Sequence, residues 1–494
     1  MPAKIKFFFS RKQLIEVAFW LLITLLIYFF LLADESLALR RHLAIAQSIL
    51  SGQLWGRQAL VGSLEYAPLP SLILLIFAGP LKILPLSGTK LMVALAQAYC
   101  LSRLFKLQGL FGKNWQLPLL PVLLVLIFFG WHDTFLFAKV DPGWITAAIY
   151  AGFFYHMCLW QHNQDLRHLV AGALFLGLLC LCGAGAIMIA FLSFFIALSE
   201  IRKKLNDKEK FAGVPTVLGM PLLYCFALLF IWNWLVMDDV FFLLRDFCLR
   251  AGSMNCAALG ESTLSQMLFF YLLGLLLLII AALFSDQSMG LRLLQAIFLL
   301  LPLHFLFSRG LQVHASGVAA LSGLALLLLF LVFSYSNFNT RTGENLAWTT
   351  MLALMLYGFC VFPRMPAAPF QEEEPALVPA TALCRYIDQF WPDSRIMLYG
   401  LPLASAYPDL TEQRFVARLD FHEELLREQA IDEQMHLLIP PNDGHYYPRK
   451  HPILADIHNR GRDWLLLEKQ YYGGWQLWRC VTPPKGESKL EFLR

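Results

Sequence analysis

The chain has 494 residues, of which 58% are hydrophobic and only 15% are charged, and its formal net charge is +4. Soluble globular proteins carry about a quarter charged residues, so this composition favours a membrane protein. The small net charge and the lack of a long basic run exclude a nucleic-acid surface. Charged residues return to ordinary density only late in the chain, which predicts a transmembrane part (1–362), a Pro-rich linker (363–380) and a soluble part (381–494).

A first membrane span is predicted from Leu14 to Leu32, and the basic residues before it place the N-terminus in the cytoplasm. The stretch is longer than a signal-peptide apolar region and no small-residue cleavage site follows it, so we expect it to stay uncleaved. Further apolar stretches predict crossings at 88–106, 116–131, 143–160, 168–183, 185–201, 213–236, 266–284, 291–307, 311–333 and 346–362.

These stretches and the first span predict about eleven crossings, an odd number that puts the soluble part on the extracytoplasmic side. Basic clusters mark the cytoplasmic ends of the spans: Arg103 with Lys106 and Lys113, Arg167 with His168, the run 202–210, Arg292, and Arg341. We therefore expect a multi-pass protein of a bacterial inner membrane, with membrane lipid around it and the soluble part in the periplasm.

The first extracytoplasmic loop, 33–68, contains an amphipathic pattern from Ser36 to Ser51. Its apolar face carries Leu39, Leu43, Ala46 and Leu50, and its polar face carries Arg40, Arg41, Gln47 and Ser48. This is typical of a helix in the membrane interface. The next apolar stretch, Leu69 to Leu86, is interpreted as re-entrant or surface-lying, because a full crossing there would move the Arg103 cluster outside. A tight hairpin is predicted at Gly183-Ala184-Gly185.

The sequence of the soluble part predicts a small α/β domain, in which helices and strands alternate and a β-hairpin has its turn at Gly473-Gly474. The elements are helices at Thr381–Phe390 and Asp420–Ala430, and strands at Arg395–Tyr399, His436–Ile439, Trp464–Tyr472 and Trp475–Val481. Two cysteine pairs on the extracytoplasmic side, Cys248 with Cys256 and Cys384 with Cys480, are either disulfides or free thiols.

Acidic residues bound the first loop: Asp34-Glu35 opens it and Glu65 closes it just before Pro68-Leu69. On composition alone these are solvated interfacial acids. The layout nevertheless resembles the first loop of GT-C glycosyltransferases, in the aminoarabinose transferase and protein O-mannosyltransferase branches. The matching strings are Asp34-Glu35, Arg41, Ala44, Ile49-Leu50-Ser51-Gly52, Glu65-Tyr66-Ala67-Pro68-Leu69, Lys139-Val140-Asp141-Pro142 and Phe307–His314. The family has a basic residue and a proline where this chain has Tyr66 and Ala67, and a tyrosine that is missing after Arg309.

The resemblance implies a GT-C-like fold and inverting transfer of a sugar from a polyprenyl-phosphate donor to a lipid, glycan or protein acceptor. It makes Asp34 the general base and Glu65 an acceptor-positioning acid or metal ligand. It makes Arg309, helped by Lys82 and Lys139, the clamp for the donor phosphate. Supporting roles fall to Glu35, Tyr66, Asp141 and His314. No cofactor is assigned, and a divalent metal ion held by Asp34, Glu65 and a histidine stays open.

Each of these residues also has a structural interpretation. Asp34 and Asp141 could cap helices, Glu65 could be a solvated loop residue, and the two lysines could reach to the headgroups. Two other functions compete with transfer. A catalytically degenerate scaffold for a surface-glycan or glycoprotein assembly is favoured by the altered Tyr66-Ala67. A transporter of lipid-linked sugars is disfavoured, because the predicted spans contain almost no charge in their interiors.

Overall fold

The computed structural model describes the chain over several separate ranges. They are residues 11–31, 37–50, 52, 54–61, 68–78, 87–111, 140–205, 212–244, 383, 386–387, 389, 396–399, 415–418, 435–442, 453–471 and 473–481. The predicted spans 116–131, 266–284, 291–307, 311–333 and 346–362 lie outside these ranges.

Helices form the N-terminal part of the described chain. They are α1 (Arg11–Phe30), α2 (Leu37–Leu50), α3 (Leu54–Val61), α4 (Pro68–Ala78), α5 (Gly88–Phe111), α6 (Gly143–Asn163), α7 (Leu166–Leu179), α8 (Ala184–Lys204) and α9 (Val214–Met237), with a 3-10 turn at Cys180–Cys182. Every predicted span that falls on described residues is helical.

Two helices within the described ranges are long and apolar enough to cross a membrane, Gly185–Lys204 and Val214–Met237. Core helices of soluble proteins and signal sequences can meet the same criterion of length and composition. The apolar parts of other helices are shorter: Leu14–Phe29, Pro68–Phe77 and Leu166–Cys182. At 1.5 Å per residue, the apolar segment in α4 is too short for a bilayer core of about 30 Å.

Helix α6 lies inside the helical bundle. Its apolar residues occur on all sides, and most of them are buried, including Trp144, Tyr150, Phe153 and Phe154. A helix that is hydrophobic all round must be surrounded by protein or lipid. Here α5 and α7 pack against it, which makes α6 the centre of the main buried cluster.

The directions of the helices follow from their contacts. Trp20 in the middle of α1 lies against Phe105 in the last two turns of α5, with ring centroids 5.8 Å apart. At the end of α1, Lys90 Nζ from the first turn of α5 donates to the Leu31 carbonyl at 3.3 Å, so α1 and α5 are antiparallel.

Helices α5 and α6 advance in the same direction. The Tyr99 ring lies 6.3 Å from that of Phe175, and Phe175 in turn packs against Gly152 of α6. One turn further along α5, Arg103 lies over the ring of Tyr155, about one turn further along α6. The two helices are therefore parallel.

One end of the bundle, which we call the basic end, gathers the described members of the basic clusters. Lys106 pairs with Glu16 near the start of α1 at 2.5 Å, and Arg103 lies over Tyr155. His168 contacts α6 through His156, and Lys204 donates to the Gln161 carbonyl. Three clusters separated in sequence thus share one end.

The opposite end, which we call the loop end, carries the helix termini that flank the first loop. The backbone N–H of Ser87 donates to Tyr28 Oη at 3.0 Å, which joins the end of α1 to the start of α5. The start of α6 lies here too, because Gly143 is about 27 Å along the helix from Gln161 at 1.5 Å per residue.

The amphipathic helix predicted from Ser36 to Ser51 is present as α2, but the prediction assigned one residue of each face wrongly. Ser48 is buried, whereas Leu50 is 53% exposed. The reason is α3, which turns back onto α2 after Gly52, whose φ is +80°. Gly56 lets α3 approach so closely that an added Cβ would lie 2.8 Å from Ser48 Oγ. The helix is therefore packed on two sides, not on one.

The tight hairpin between α7 and α8 is present at the predicted position. Gly183 has φ +129°, a conformation that side chains with a Cβ rarely adopt. The two helices contact each other on either side of this glycine.

A mixed five-stranded sheet forms in the C-terminal part, in the order β2-β1-β3-β5-β4. Its strands are β1 (Ile396–Tyr399), β2 (Phe415–Arg418), β3 (His436–Ile439), β4 (Leu465–Gln470) and β5 (Gln476–Cys480), with α10 (Leu454–Arg460) between β3 and β4. Strands β1, β2 and β3 are parallel, and β5 is antiparallel to both β3 and β4.

Several predicted elements of this part agree with the structure. The strands at Arg395–Tyr399 and His436–Ile439 are present, and the hairpin turns at Gly473-Gly474, where both residues have positive φ. Described residues between 381 and 390 are helical. Strand β2 and helix α10 were not predicted, and the predicted helix Asp420–Ala430 lies outside the described ranges.

Cys480 carries a free thiol, and burial raises its pKa to about 12. The thiol therefore stays protonated at neutral pH. Its candidate partner Cys384, like Cys248 and Cys256, lies outside the described ranges.

Candidate functional site

Most of the predicted site residues lie outside the described ranges. These are Asp34, Glu35, Glu65, Tyr66, Lys82, Lys139, Arg309 and His314. The structure does describe Asp141 and the chain on either side of Asp34 and Glu65. The candidate site is therefore built from the elements that hold the ends of the loops carrying these residues.

Asp141 caps the start of α6. Its Oδ1 accepts a hydrogen bond from the backbone N–H of Gly143 at 2.7 Å, and the side chain is half-buried. The bond satisfies one of the donors that a helix leaves open at its N-terminus. Asp141 thus has the structural role that its position before Pro142 allowed, and this role fixes it at the loop end.

The chain leading to Asp34 is held against α5. Leu31, three residues before Asp34, is buried, and its carbonyl accepts from Lys90 Nζ. Tyr28, one turn earlier, accepts from the Ser87 N–H. These two bonds fix the end of α1 on the first turn of α5.

A buried hydrogen bond joins the two helices that border the first loop. His42 Nδ1 and Ser71 Oγ are 2.7 Å apart, and the two residues are 3% and 0% exposed. His42 lies in α2, which follows Asp34-Glu35, and Ser71 lies in the first turn of α4, which follows Glu65. The bond therefore ties together the two chain segments that carry the candidate acids.

A second buried polar contact ties α3 to α9. Asn233 is fully buried in α9 and donates through Nδ2 to the Val61 carbonyl at 3.0 Å and to the Leu229 carbonyl at 2.8 Å. Because both acceptors face the same nitrogen, they fix the orientation of the amide. Val61 is four residues before Glu65, so this contact anchors the loop from its other side.

Sequence reasoning missed His42, Ser71 and Asn233. His42 carried a readable signal, because it falls beside Leu39 and Ala46 on a helical face that is otherwise apolar. Ser71 and Asn233 sit in apolar stretches, where buried polar groups need hydrogen-bond partners. The pairing of His42 with Ser71, 29 residues away, had no signal in the sequence.

Within the described ranges no group of three His, Cys, Asp or Glu side chains is placed to hold a metal ion. The histidine and acids that could surround a divalent ion lie elsewhere in the chain.

A scan against protein-family models finds no match for the chain, and a search of curated proteins finds none either.

Proposed function

We propose that the chain is a membrane glycosyltransferase that moves a sugar from a polyprenyl-phosphate donor to an extracytoplasmic acceptor. The proposal rests on which chain segments meet at the loop end of the bundle. The buried His42–Ser71 bond ties the helix that follows Asp34 to the helix that follows Glu65, and a bond from Lys90 holds the chain before Asp34 on the start of α5. Asp141 is held at the start of α6 by its bond to the Gly143 N–H. This is the arrangement that the resemblance to GT-C enzymes requires of these acids.

The helical bundle supports a membrane location. Large apolar side chains are exposed along α1 and α9, for example Phe29 at 76% and Leu235 at 67%. Of these two helices, α9 is long and apolar enough to cross a bilayer, and exposed apolar surface on such a helix is what contact with lipid produces. The parallel packing of α5 and α6 is what one intervening crossing, such as that predicted at 116–131, would produce.

The charges support the orientation. Basic residues cluster on the cytoplasmic side of membrane proteins, and the described basic clusters share the basic end. The loop end is then extracytoplasmic, where sugars linked to polyprenyl phosphate are used by enzymes of this type. The soluble part lies on the same side under the predicted odd number of crossings.

The chain lengths keep the two acids near each other. Asp34 follows Leu31 by three residues and Glu65 precedes Pro68 by three, so each is tethered within about 11 Å of a fixed helix terminus. Asp34 also precedes Leu37, the first residue of α2, by three residues. Because α2 and α4 are joined by the His42–Ser71 bond, each acid is tethered to one of two helices that are bonded to each other. A general base and an acceptor-positioning acid need this proximity.

The reaction follows from these roles. The acceptor hydroxyl or amine attacks the anomeric carbon, the bond from that carbon to the phosphate oxygen breaks, and polyprenyl phosphate leaves with the electron pair. Asp34 takes the acceptor proton. Arg309, with Lys82 and Lys139, stabilises the charge on the leaving phosphate. Attack from the face opposite the phosphate inverts the anomeric configuration.

The test is transfer by the purified full chain in nanodiscs, supplied with a panel of polyprenyl-phosphate sugars and with lipid, glycan and peptide acceptors. Asp34→Asn should lower the rate of sugar transfer by about 100-fold or more. The matched control is Asp165→Asn, the same change at an exposed helix cap on the basic end, and it should leave the rate unchanged.

Transfer that is unaffected by Asp34→Asn would refute the assignment of the base. If no donor turns over while the chain copurifies with an active transferase, the scaffold interpretation replaces this proposal.

A further inference from the structure

Arg103, at the basic end, sits between two tyrosine rings. Its guanidinium carbon lies 4.5 Å from the ring centroid of Tyr99 and 4.9 Å from that of Tyr155. Stacking on aromatic faces stabilises a guanidinium and holds its plane in a fixed orientation. Within the described ranges Arg103 has no carboxylate partner, whereas its neighbour Lys106 is paired with Glu16.

Two buried polar atoms at this place make no hydrogen bond of standard geometry within the described ranges, although the Tyr99 hydroxyl is close enough to Arg103 to interact with it. They are Nε of Arg103 and the hydroxyl of Tyr99, which lies one turn earlier on α5. A buried donor left without an acceptor is destabilising, so each such group requires an explanation. Both would be satisfied by one acceptor group that enters between α5 and α6.

A pair of histidines completes the cluster. Nδ1 of His156 and Nδ1 of His168 are 3.3 Å apart, and the His156 ring stacks on Phe175 with centroids 5.7 Å apart. Arg103 is close enough to His156 to act on it electrostatically. At this separation one Nδ1–H donates to the other Nδ1, so a neutral pair keeps one Nε2–H that can donate to an anion. The two rings could instead share a metal ion.

The surroundings decide against a cation. Among the described residues no third His, Cys, Asp or Glu completes a metal site, and the Arg103 charge would repel a metal ion. The same charge attracts an anion. A guanidinium fork, a hydroxyl and imidazole donors without a carboxylate are the groups that bind phosphate in proteins.

We propose that Arg103, Tyr99 and the His156–His168 pair form a binding site for a phosphate group at the basic end of the bundle. Phosphate oxygens would accept from Arg103 Nε and from the Tyr99 hydroxyl, with the histidines beside them. At this end of helices that cross the membrane, the phosphate of an anionic phospholipid headgroup lies at the right depth. This source rests on the proposed membrane topology, but the site does not depend on sugar transfer.

The test compares the full chain in dodecyl maltoside micelles, which contain no phosphate, with the full chain in the same micelles doped with phosphatidylglycerol. We expect phosphatidylglycerol to raise the Tm of the wild type. In the Arg103→Gln variant, the mole fraction of phosphatidylglycerol that gives half of the maximal rise in Tm should increase about tenfold or more, because a charge-assisted hydrogen bond is lost. Arg167→Gln, a change at an exposed arginine of the same end, is the matched control and should keep the wild-type response.

A third arm adds inorganic phosphate to the chain in dodecyl maltoside micelles without phospholipid. A rise in Tm that depends on Arg103 there, without a response to phosphatidylglycerol, would assign the site to a soluble phosphate and not to a lipid. A response of Arg103→Gln equal to that of the wild type in both arms overturns the site.

If Arg103→Gln does not yield folded protein, Tyr99→Phe provides the test, because it keeps the ring under Arg103 and removes only the hydroxyl. A weakened response to phosphate or phosphatidylglycerol supports the site, and an unchanged response overturns it.

Discussion

Replacing Ser71 by alanine removes the buried hydrogen bond between α2 and α4 without removing a packing group of any size. Ser71 is 0% exposed and its Oγ lies 2.7 Å from His42 Nδ1, so the substitution leaves the imidazole nitrogen without this partner. Removing one member of a buried pair costs about 1–3 kcal/mol, more than the net value of the bond itself. We therefore expect the unfolding free energy to fall by about this amount.

A double-mutant cycle separates the bond from other effects. His42→Phe keeps a ring of similar shape in α2, and the double substitution His42→Phe with Ser71→Ala leaves neither partner unsatisfied. The cost of the double variant should be smaller than the sum of the single costs, by about 0.5–3 kcal/mol of coupling. Gln47→Ala, at an exposed position of the same helix, should change the unfolding free energy by less than about 0.5 kcal/mol.

The measurement is reversible unfolding of the purified chain in mixed micelles, followed as a function of the denaturing detergent. Additive single and double variants would contradict the account, since they would mean that His42 and Ser71 do not interact. If Gln47→Ala lowered the unfolding free energy as much as Ser71→Ala, the effect could not be assigned to the His42–Ser71 hydrogen bond.

Three further predictions concern other contacts. Gly177→Ala should lower the free energy of unfolding by about 1–3 kcal/mol, because the added Cβ would lie 2.7 Å from a backbone oxygen of α9. Its control is Gly213→Ala, whose added Cβ has nothing within 4 Å and should leave the stability in thermal unfolding unchanged. Asn233→Leu should destabilise the chain and increase proteolysis between α3 and α4, since the Val61 carbonyl at the end of α3 loses its donor from α9. Equal protease sensitivity of wild type and variant would contradict this. A hydrogen bond from Arg462 lowers the pKa of Asp456, so its stabilisation is present above the unfolded pKa of about 3.9 and is lost as pH falls through the lower folded pKa. Asp456→Asn should therefore cost less than about 1 kcal/mol at pH 7 and nothing in strong acid, and a pH-independent difference in thermal unfolding would refute the ion pair.

The described fold was readable from the sequence where local patterns decide it. The spans that became α5 to α9 are apolar over a helical length, and the Gly473-Gly474 turn follows from the positive φ that glycine allows. Strand β2 was missed because its sequence, Phe-Val-Ala-Arg, is less apolar than those of the equally short β1 and β3 and is flanked by charged and polar residues. Leu50 and Ser48 were assigned to the wrong faces of α2, because the approach of α3 through Gly56 is a tertiary contact.

The site was readable only in part. Acidic residues at the ends of an apolar span are visible in a sequence, and their flanks do meet at the loop end. The bond that joins those flanks was not visible, because His42 and Ser71 are 29 residues apart and each looks like an ordinary member of its helix. Arg103 was predicted only as part of a basic cluster that marks the cytoplasmic side. Of the two rings around it, Tyr99 lies on the same helix and Tyr155 is brought there by the packing of α6 on α5.

The most direct measurement of the account is the sidedness of the two ends of the bundle. Single cysteines at exposed positions, Gln47→Cys on α2 and Lys203→Cys in the last turn of α8, would be treated with a membrane-impermeant maleimide in right-side-out spheroplasts. The unsubstituted chain, treated in parallel, gives the labelling of the native cysteines. With the loop end outside and the basic end in the cytoplasm, Gln47→Cys is labelled in intact spheroplasts and Lys203→Cys only after the spheroplasts are permeabilised. Labelling of both positions from the same side, or the reverse pattern, would contradict this orientation.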